Sequence, residues 1–391
     1  MEIKREEYIA EITYKLGIFP IVSILGPRQC GKTTLAKQYI SSTGKAVEFY
    51  DLERSSDFDA LEDPFLLLEK KKGLIVIDEI QLMPKIFEAL RVIVDNNKDV
   101  RFLILGSASP HIIKNVSESL AGRVGFVDLA GFRISEISYK NAKKLWVRGG
   151  FPDVYLSRND DISFLKREEL IRTFLERDIR MFGFNIFPVR LRRFWAMLAH
   201  YHAKQFNGSE MARSLDIDSK TARNYLDLLS GTYMVREVLP WSNNTKKRLV
   251  KSPKIYFRDT GLLHALLMLK NEKDIIRHPV CGFSWEGFAM EEVISLMDLA
   301  DGEVFYWAVH QQAELDMLFF LHGKAIGVEF KYQSSPKLER SMVTAIEELN
   351  LDKIYVVYPG ERTRQLHEKV TLVPLEKIGI IKKEQDGVNS A

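Results

Sequence analysis

A glycine-containing loop between an apolar segment and a helical segment constrains this chain more than any other feature. Residues 26–33 have the pattern Gly-x-x-x-x-Gly-Lys-Thr and follow the aliphatic run at 21–25. Its two glycines let the backbone wrap round an anion, and successive N–H groups at the helix N-terminus can then bind phosphate oxygens. Lys32 can reach the β- and γ-phosphates, and the Thr33 hydroxyl can bind Mg²⁺. A chance match is a weak alternative because strand and helix flank the loop. The predicted ATP-binding residues are Gly26, Pro27, Arg28, Gln29, Cys30, Gly31, Lys32, Thr33 and Thr34.

Two consecutive carboxylates follow a second aliphatic run. Residues 74–77 are Leu-Ile-Val-Ile, which is typical of a central parallel strand covered on both faces, and Asp78 and Glu79 come next. Asp78 is expected to hold Mg²⁺, and Glu79 to orient or deprotonate the attacking water. Exposed acids at an ordinary strand end are the weaker interpretation, because a phosphate loop precedes them. The second acid indicates ATP hydrolysis rather than a GTPase switch.

Composition fits a globular protein of two or three domains. The chain has 391 residues, of which 46% are hydrophobic and 28% are charged. No apolar run is long enough to cross a bilayer, and the N-terminus has no signal-peptide pattern. The only cysteines are Cys30 and Cys281, so a disulfide framework is excluded and a cytoplasmic location is expected. Alkylation of Cys30 would place bulk where the phosphates bind; a buried, unreactive thiol is the alternative.

Positive charge is concentrated in the middle of the chain. Residues 160–254 contain 18 Lys and Arg against 11 Asp and Glu, a net charge of +7, whereas the whole chain carries +3. Such a segment is a candidate site for a polyanion. A positively charged face with no partner is the ordinary alternative.

The first 150 residues alternate between strand and helix patterns. The predicted strands lie at 21–25, 46–50, 74–78, 102–106 and 124–129. Ser107, at a strand end, could bind the attacking water or the γ-phosphate, or it could cap the next turn. Arg123 could stabilise γ-phosphate charge in cis or across a subunit interface, which would require a homo-oligomer; a plain surface residue is equally compatible.

A helix-turn-helix pattern begins after residue 207. Residues 209–215 and 220–229 have helical spacing, with inward-facing apolar positions in the second helix and polar residues on its other side. Residues 233–240 and 254–257 predict a strand pair, and Lys246, Lys247 and Arg248 form a basic wing tip between them. The pattern predicts a winged helix that binds DNA, although such domains also serve as protein-binding modules.

The last third contains a second candidate site. Glu286 lies in a helical pattern, Asp316 in a strand pattern, and Glu329 and Lys331 two residues apart in the next strand pattern. Period-2 geometry puts Glu329 and Lys331 on one face. Asp316 and Glu329 could hold Mg²⁺, Lys331 could activate water, and Glu286 could add a third acid. A fold retained as a scaffold without chemistry is the alternative.

These landmarks together resemble a bacterial and archaeal family of AAA+-type ATPases that carry a C-terminal domain of unknown function. Further segments that carry the resemblance are 120–123, 175–179, 254–262 and 329–331. The resemblance implies a C-terminal region like the PD-(D/E)xK restriction-endonuclease fold. Here Leu315 replaces the proline before Asp316, which leaves the carboxylate in place.

The predicted fold class is α/β, with a P-loop parallel sheet covered by helices on both faces, a winged helix, and a smaller restriction-endonuclease-like domain. The expected limits are 1–150 for the ATPase core, 151–203 for a helical linker or lid, 204–262 for the winged helix and 263–391 for the nuclease-like domain. The predicted function is Mg²⁺-dependent ATP hydrolysis coupled to a DNA transaction, with metal-dependent DNA cleavage left open. A regulatory ATPase that binds protein partners and cuts nothing is the alternative.

Overall fold

The N-terminal part is built on a five-stranded parallel sheet. A computed structural model describes residues 2–44, 46–107, 116–242, 252–309 and 313–386. The strand order is β2-β3-β4-β1-β5, and each neighbouring pair is parallel. The strands are β1 (Ile21–Gly26), β2 (Glu48–Asp51), β3 (Gly73–Asp78), β4 (Val100–Ser107) and β5 (Val124–Asp128). The predicted α/β class and the P-loop sheet are confirmed.

Helices cover both faces of this sheet because its central strands are apolar on both sides. Alternate residues of β1 and β4, such as Val22 and Leu103, pack with Leu35 on one face. On the other face, Ile75 and Phe102 pack with an amphipathic helix. The helices of this part are α1 (Glu6–Ile18), α2 (Lys32–Thr43), α3 (Ser55–Ala60), α4 (Pro64–Leu68) and α5 (Ile86–Asn96), with a 3₁₀ turn at Ile80–Leu82.

A mostly helical segment continues from the sheet. Phe151, where a linker is predicted, is buried and packs in the same core as the first sheet. A π-helical turn, Phe174–Asp178, interrupts the longest helix of this segment. The helices are α6 (Ile134–Ile137), α7 (Ala142–Arg148), α8 (Pro152–Tyr155), α9 (Asp160–Thr173), α10 (Ile179–Met181) and α11 (Pro188–Ala199), with a 3₁₀ turn at Tyr139–Asn141.

The predicted pair of helices after residue 207 is present as α12 (Gly208–Leu215) and α13 (Ser219–Gly231). Asp218 caps α13 by accepting the Thr221 N–H at 2.9 Å. Three strands accompany the pair: β6 (Lys204–Gln205), β7 (Val235–Pro240) and β8 (Lys254–Phe257). Strand β8 is antiparallel to both of the others. The predicted basic wing tip, Lys246, Lys247 and Arg248, lies outside the described residues.

The C-terminal strands join these three strands in a second sheet. Its order is β13-β14-β12-β11-β10-β9-β7-β8-β6, and the connection is parallel pairing of Leu239 with Phe305. The sheet therefore crosses the predicted boundary at residue 262. The remaining strands are β9 (Phe305–Val309), β10 (Ala313–Leu321), β11 (Lys324–Phe330), β12 (Lys353–Tyr358), β13 (Arg364–His367) and β14 (Val370–Pro374).

The helices of this part are α14 (Thr260–Leu266), α15 (Glu272–Arg277), α16 (Cys281–Met297), α17 (Arg340–Leu349) and α18 (Gly379–Asp386), with 3₁₀ turns at Asp301–Glu303 and Leu375–Lys377. Helix α16 packs on one face of the sheet, and Met342 of α17 packs on the other. Across the described ranges, none of the helices combines the length and the apolar character that a membrane span needs.

Candidate nucleotide site and C-terminal carboxylate cluster

The phosphate loop has the backbone shape that its sequence requires. It leaves β1 at Gly26 and enters α2 at Lys32, where Gly31 has a φ of 98°. A Cβ at Gly26 would lie 2.1 Å from the Leu129 carbonyl oxygen, so the two chains approach too closely for any larger residue. Because the loop follows β1 and the sheet is parallel, the loop opens at the carboxyl edge of the sheet, where α/β proteins bind ligands.

Lys32 and Thr33 face the same space from the first turn of α2. Lys32 is buried, and its Nζ donates to the carbonyl oxygens of Gly26 at 3.2 Å and Pro27 at 2.9 Å. Thr33 Oγ1 donates to Asp78 Oδ2 at 2.6 Å. The Lys32 ammonium is thus enclosed by the loop backbone. The Thr33 hydroxyl forms a pair with the Asp78 carboxylate, which comes from the end of β3. A Mg²⁺–nucleotide fits this donor set: the ammonium suits phosphate, and the two oxygens suit a hard cation.

Asp78 and Glu79 have different surroundings although they are consecutive. Burial raises the pKa of Asp78, and the hydrogen bond from Thr33 partly opposes this effect. Asp78 Oδ1 also accepts the Glu79 backbone N–H at 2.9 Å. Glu79 has a φ of 54°, the left-handed region that a residue with a side chain seldom adopts. Such strain is common where a chain must aim a functional side chain.

Gln81 connects the two strand ends, and the sequence interpretation gave it no role. Its Nε2 donates to the Glu79 carboxylate, and its Oε1 accepts the Ser107 backbone N–H at 3.2 Å. The Ser107 Oγ is buried, and it finds no hydrogen-bond partner in the part of the chain that the structure describes. Ser107 pairs with Gly26 in the sheet, so this hydroxyl lies beside the phosphate loop. In the sequence, its position two residues after Glu79 was the feature that could have identified Gln81 as a site residue.

A network of charged residues links the phosphate loop to the π-helical turn. Glu53 accepts Arg28 Nη2 at 2.6 Å and Arg177 Nη2 at 3.3 Å, and Arg28 Nη1 also lies 3.6 Å from Asp178 Oδ1. Asp178 is buried, and this burial raises its pKa to about 6 although Arg28 acts in the opposite direction. Glu53, Arg177 and Asp178 had no assigned role in the sequence interpretation. The π-helical turn marks Arg177 and Asp178, since such turns are frequent at functional sites, whereas no local feature marks Glu53.

The remaining loop positions differ in exposure. Pro27 and Cys30 are buried, whereas Gln29 and Thr34 are exposed at the loop surface. The buried state of the Cys30 thiol favours the unreactive alternative. The backbone oxygen of Cys30 accepts a hydrogen bond from Arg5 Nη1 at 3.2 Å, so the segment before α1 also stabilises the loop.

Arg123 is not at the nucleotide site of its own chain. It immediately precedes β5, and its carbonyl oxygen accepts the Ile21 N–H at the start of β1. The residue therefore lies at the amino edge of the parallel sheet, opposite the phosphate loop. Its guanidinium forms a pair of hydrogen bonds with Asp95, at 2.8 and 2.7 Å. The role in cis is wrong for this topological reason, and the role across a subunit interface stays a prediction.

The structure brings the C-terminal candidates together. Glu286 lies on α16, Asp316 on β10, and Glu329 on β11. Met317 pairs with Val328, so the next positions, Asp316 and Glu329, lie opposite each other on one face. Burial raises the pKa of Glu329 well above its ordinary value, and the negative charge of Asp316 adds to this rise.

Lys331 lies beside Glu329, as period-2 geometry predicts. Its Nζ is 3.1 Å from Glu329 Oε2 and 3.2 Å from Glu339 Oε2.

The carboxyl group of Glu286 is also perturbed. Burial raises its pKa to about 8, and the negative charge of Asp316 is the second largest cause of this rise.

A lysine from β8, which the sequence assigned to another unit, contacts two carboxylates of this cluster. Lys254 is 3% exposed, and its Nζ lies 3.6 Å from Asp316 Oδ1 and 3.8 Å from Glu286 Oε1. It also forms an ion pair with Glu314. Two residues further along β8, the Tyr256 hydroxyl donates to Glu286 Oε1 at 2.6 Å. Within the described residues, no group of three or more His, Cys, Asp or Glu side chains is placed to hold a metal ion. The metal predicted at Asp316 and Glu329 does not fit this arrangement.

The comparisons with known families divide the chain into three parts. Residues 19–138 match an AAA domain, residues 139–273 a domain of unknown function (DUF8612), and residues 281–378 another domain of unknown function (DUF4143). Two mycobacterial relatives are uncharacterized protein Rv2008c of Mycobacterium tuberculosis and uncharacterized protein Mb2031c of Mycobacterium bovis. Each is 44% identical over 379 residues, covering 97% of this chain and 85% of the relative.

Solved structures also resemble this chain at low sequence identity. The Walker-type ATPase PABY2304 of Pyrococcus abyssi is 13% identical; the match covers 68% of this chain and 96% of that one, with a TM-score of 0.48. The RuvB Holliday junction branch migration motor of Thermotoga maritima is 17% identical, covering 60% and 90%, with a TM-score of 0.30.

Proposed function

The chain belongs to the same family as the two mycobacterial proteins and contains an AAA domain, and from its nucleotide site we propose that it hydrolyses Mg²⁺–ATP. The observation that carries the proposal is the 2.6 Å hydrogen bond between Thr33 Oγ1 and Asp78 Oδ2, beside the buried ammonium of Lys32. These three groups come from two separate segments of the chain, and they converge where the phosphate loop opens.

Each residue of the site has a distinct task. The N–H groups of the loop and Lys32 would bind phosphate oxygens, while Thr33 and Asp78 would hold the metal ion. A bound Mg²⁺ would supply positive charge that stabilises the phosphates during cleavage. Because Asp78 is buried and Thr33 donates to it, the pair is fixed in place before the substrate arrives.

Activation of water falls to Glu79. Its carboxylate can accept the proton that the attacking water loses as the oxygen bonds to the γ-phosphorus. The Gln81 amide donates to that carboxylate. The Ser107 hydroxyl, which has no hydrogen-bond partner among the described residues, can donate to the water or to a γ-phosphate oxygen. Arg28 and Arg177, which share Glu53, add positive charge at the rim of the site.

A substitution in the loop tests this proposal. Lys32→Ala removes the buried ammonium, so ATP affinity and hydrolysis should both be lost. Lys37→Ala is the matched control, because Lys37 is exposed on the same helix. Nucleotide binding followed by fluorescence, together with release of inorganic phosphate, measures both quantities. Wild-type hydrolysis by the Lys32→Ala protein would rule the site out.

DNA is the second part of the proposal, and two exposed helix faces favour it. Helix α13 exposes Lys220 and Asn224, although Arg223 beside them is paired with Glu237 at 2.8 Å. Helix α11 exposes a row of arginines that form no ion pair with any described residue: Arg190, Arg192 and Arg193. We propose that ATP hydrolysis is coupled to DNA binding through this basic region, with the predicted wing tip extending it.

A third exposed feature lies next to the arginines. Phe187 is 73% exposed, and the Arg190 guanidinium lies 5.7 Å from its ring centroid. An aromatic ring flanked by arginines suits contact with both bases and phosphates. The rival function, a regulatory ATPase that binds a protein partner, predicts that binding of DNA is absent or insensitive to these residues.

The salt dependence of DNA affinity separates these two functions. Phosphate contacts release counterions, so DNA affinity should fall steeply as salt concentration rises. A protein interface need not show that slope. In a homo-oligomer, we propose that Arg123 of one copy approaches the nucleotide of another. The ATPase rate of Arg123→Ala, measured with and without assembly, tests that role.

A further inference from the structure

The C-terminal carboxylates already have a cation, and it belongs to the protein. We infer that the Lys254 ammonium, and not a divalent metal ion, neutralises Glu286 and Asp316, while the Lys331 ammonium neutralises Glu329. The cluster is then an ionic junction between strands, without metal-dependent cleavage. This inference is independent of ATP hydrolysis, which uses residues of the first sheet.

The distances place the Lys254 ammonium against two of the carboxylates that could hold a metal ion. Its Nζ is 3.6 Å from Asp316 Oδ1 and 3.8 Å from Glu286 Oε1, and it also pairs with Glu314. A Mg²⁺ ion needs about six oxygen ligands at about 2.1 Å. It would have to approach the same carboxylate oxygens as a buried positive charge, and the two cations repel each other strongly in a site with little water.

The carboxylate oxygens that a metal would use have other partners. Asp316 Oδ2 accepts the Phe330 backbone N–H at 3.1 Å, and Glu286 Oε1 accepts the Tyr256 hydroxyl. Glu329 Oε2 lies 3.1 Å from the Lys331 ammonium. Two lysines, one hydroxyl and one backbone N–H therefore satisfy this cluster, which explains how several buried acids can lie together.

The backbone that carries Lys254 is held on both sides. Strand β8 lies between β7 and β6. The Ala203 N–H donates to the Ile255 oxygen at 2.7 Å, and the Phe257 N–H donates to His202 Nδ1 at 3.0 Å. Rotation of the side chain alone would leave a buried ammonium without its partners. Lys254 thus fastens β8 to the β10–β11 hairpin, whose residues lie far along the chain.

The test measures Mn²⁺ binding in the absence of nucleotide by electron paramagnetic resonance. All proteins carry Asp78→Asn, which removes the metal ligand of the phosphate loop. On this background we expect no Mn²⁺ site that Asp316→Asn abolishes. A bound Mn²⁺ that Asp316→Asn removes would overturn the inference, and this comparison leaves Lys254 in place.

A second arm removes the ammonium while keeping the length of the side chain. Lys254→Met should gain a Mn²⁺ site that the added Asp316→Asn abolishes, and Mn²⁺ should raise the melting temperature of Lys254→Met only. Lys337→Met is the control, because it removes an exposed lysine from the same region. A folded Lys254→Met protein that binds no Mn²⁺ would show that the ammonium is not what excludes the metal, and would also overturn the inference.

Discussion

The side-chain oxygen of Gln81 accepts a 3.2 Å hydrogen bond from the backbone N–H of Ser107, and this bond joins the ends of two adjacent strands. The amide nitrogen of Gln81 points the other way and donates to the Glu79 carboxylate. The orientation of the proposed general base therefore depends on Gln81, which links it to the end of β4.

Removal of this amide should slow hydrolysis without weakening nucleotide binding. In Gln81→Ala, Glu79 loses its donor and the water is held less well, so kcat should fall by about tenfold to a hundredfold. ATP affinity should stay near the wild-type value because Lys32 and Thr33 are unchanged. Nucleotide titration and steady-state phosphate release measure the two quantities. A parallel loss of affinity would indicate a structural role instead.

Glu79→Gln should separate binding from chemistry more strongly. The amide keeps the size of the side chain but cannot accept the proton from water, so kcat should fall by a factor of about 10² to 10⁴. ATP should still bind. Glu62→Gln, at an exposed position in the same domain, is the control. Turnover of ATP by Glu79→Gln at the wild-type rate would refute the assignment of Glu79.

Asp178 should make the folded protein less stable as pH rises. An aspartate whose pKa is lowered by a salt bridge has the opposite effect. Burial raises the pKa of Asp178 from 3.8 to about 6, so between these values the folded protein holds a proton that the unfolded chain has released. Its contribution to stability therefore falls as pH rises from about 4 to about 6 and is constant above that range. The full difference is on the order of 3 kcal/mol.

Asp178→Asn should remove this dependence. The unfolding free energy of the variant minus that of the wild type should be more positive at pH 8 than at pH 4. Urea unfolding at both pH values measures this difference. Asp153→Asn, at an exposed position, controls for the general effect of pH. A wild-type minus variant difference that is the same at both pH values would mean that Asp178 does not titrate in this range.

Local sequence was sufficient to predict that the glycine loop and the acids after the second aliphatic strand come together at one edge of the sheet, because each is a short motif beside a strand. The loop, the aliphatic strand and the acids at its end could be identified without knowing the fold. The error at Arg123 was avoidable: a residue before a parallel strand must lie at the amino edge of the sheet, whereas the phosphate loop follows a strand.

Contacts between distant segments could not be predicted in this way. Nothing in the sequence near Lys254 indicates that it enters a carboxylate cluster, because its partners come from α16 and from β10. The parallel pairing of Leu239 with Phe305, which merges two predicted units into one sheet, is equally non-local. Both depend on how the segments pack, and helical or strand periodicity carries no information about that.

The arginines of α11 should contribute to DNA affinity in a salt-dependent way. Replacement of Arg190, Arg192 and Arg193 by Ala should reduce the slope of log K against log salt by roughly two to three. Arg172→Ala is the matched control, since this exposed arginine is already paired with Glu176 at 3.3 Å. Filter binding at several salt concentrations measures the slope, and an unchanged slope would favour a protein partner.

The predicted wing tip should behave in the same way. Alanine at Lys246, Lys247 and Arg248, which lie outside the described residues, should lower the slope by roughly two to three. If only the wing-tip variant changes the slope, DNA does not contact α11.

Cys30 should react slowly in the folded protein. Its side chain is fully buried, whereas Cys281 is partly exposed, so a thiol reagent should modify Cys281 first. In a Cys281→Ser protein, modification of Cys30 should be on the order of a hundredfold slower in buffer than in denaturant, because the loop must open locally first. The Cys30 sulfur lies 3.0 Å from the point where a Cβ at Gly26 would be, so any modified fraction should be inactive. Rapid modification that leaves ATP hydrolysis intact would contradict both the buried position and the tight packing of this loop.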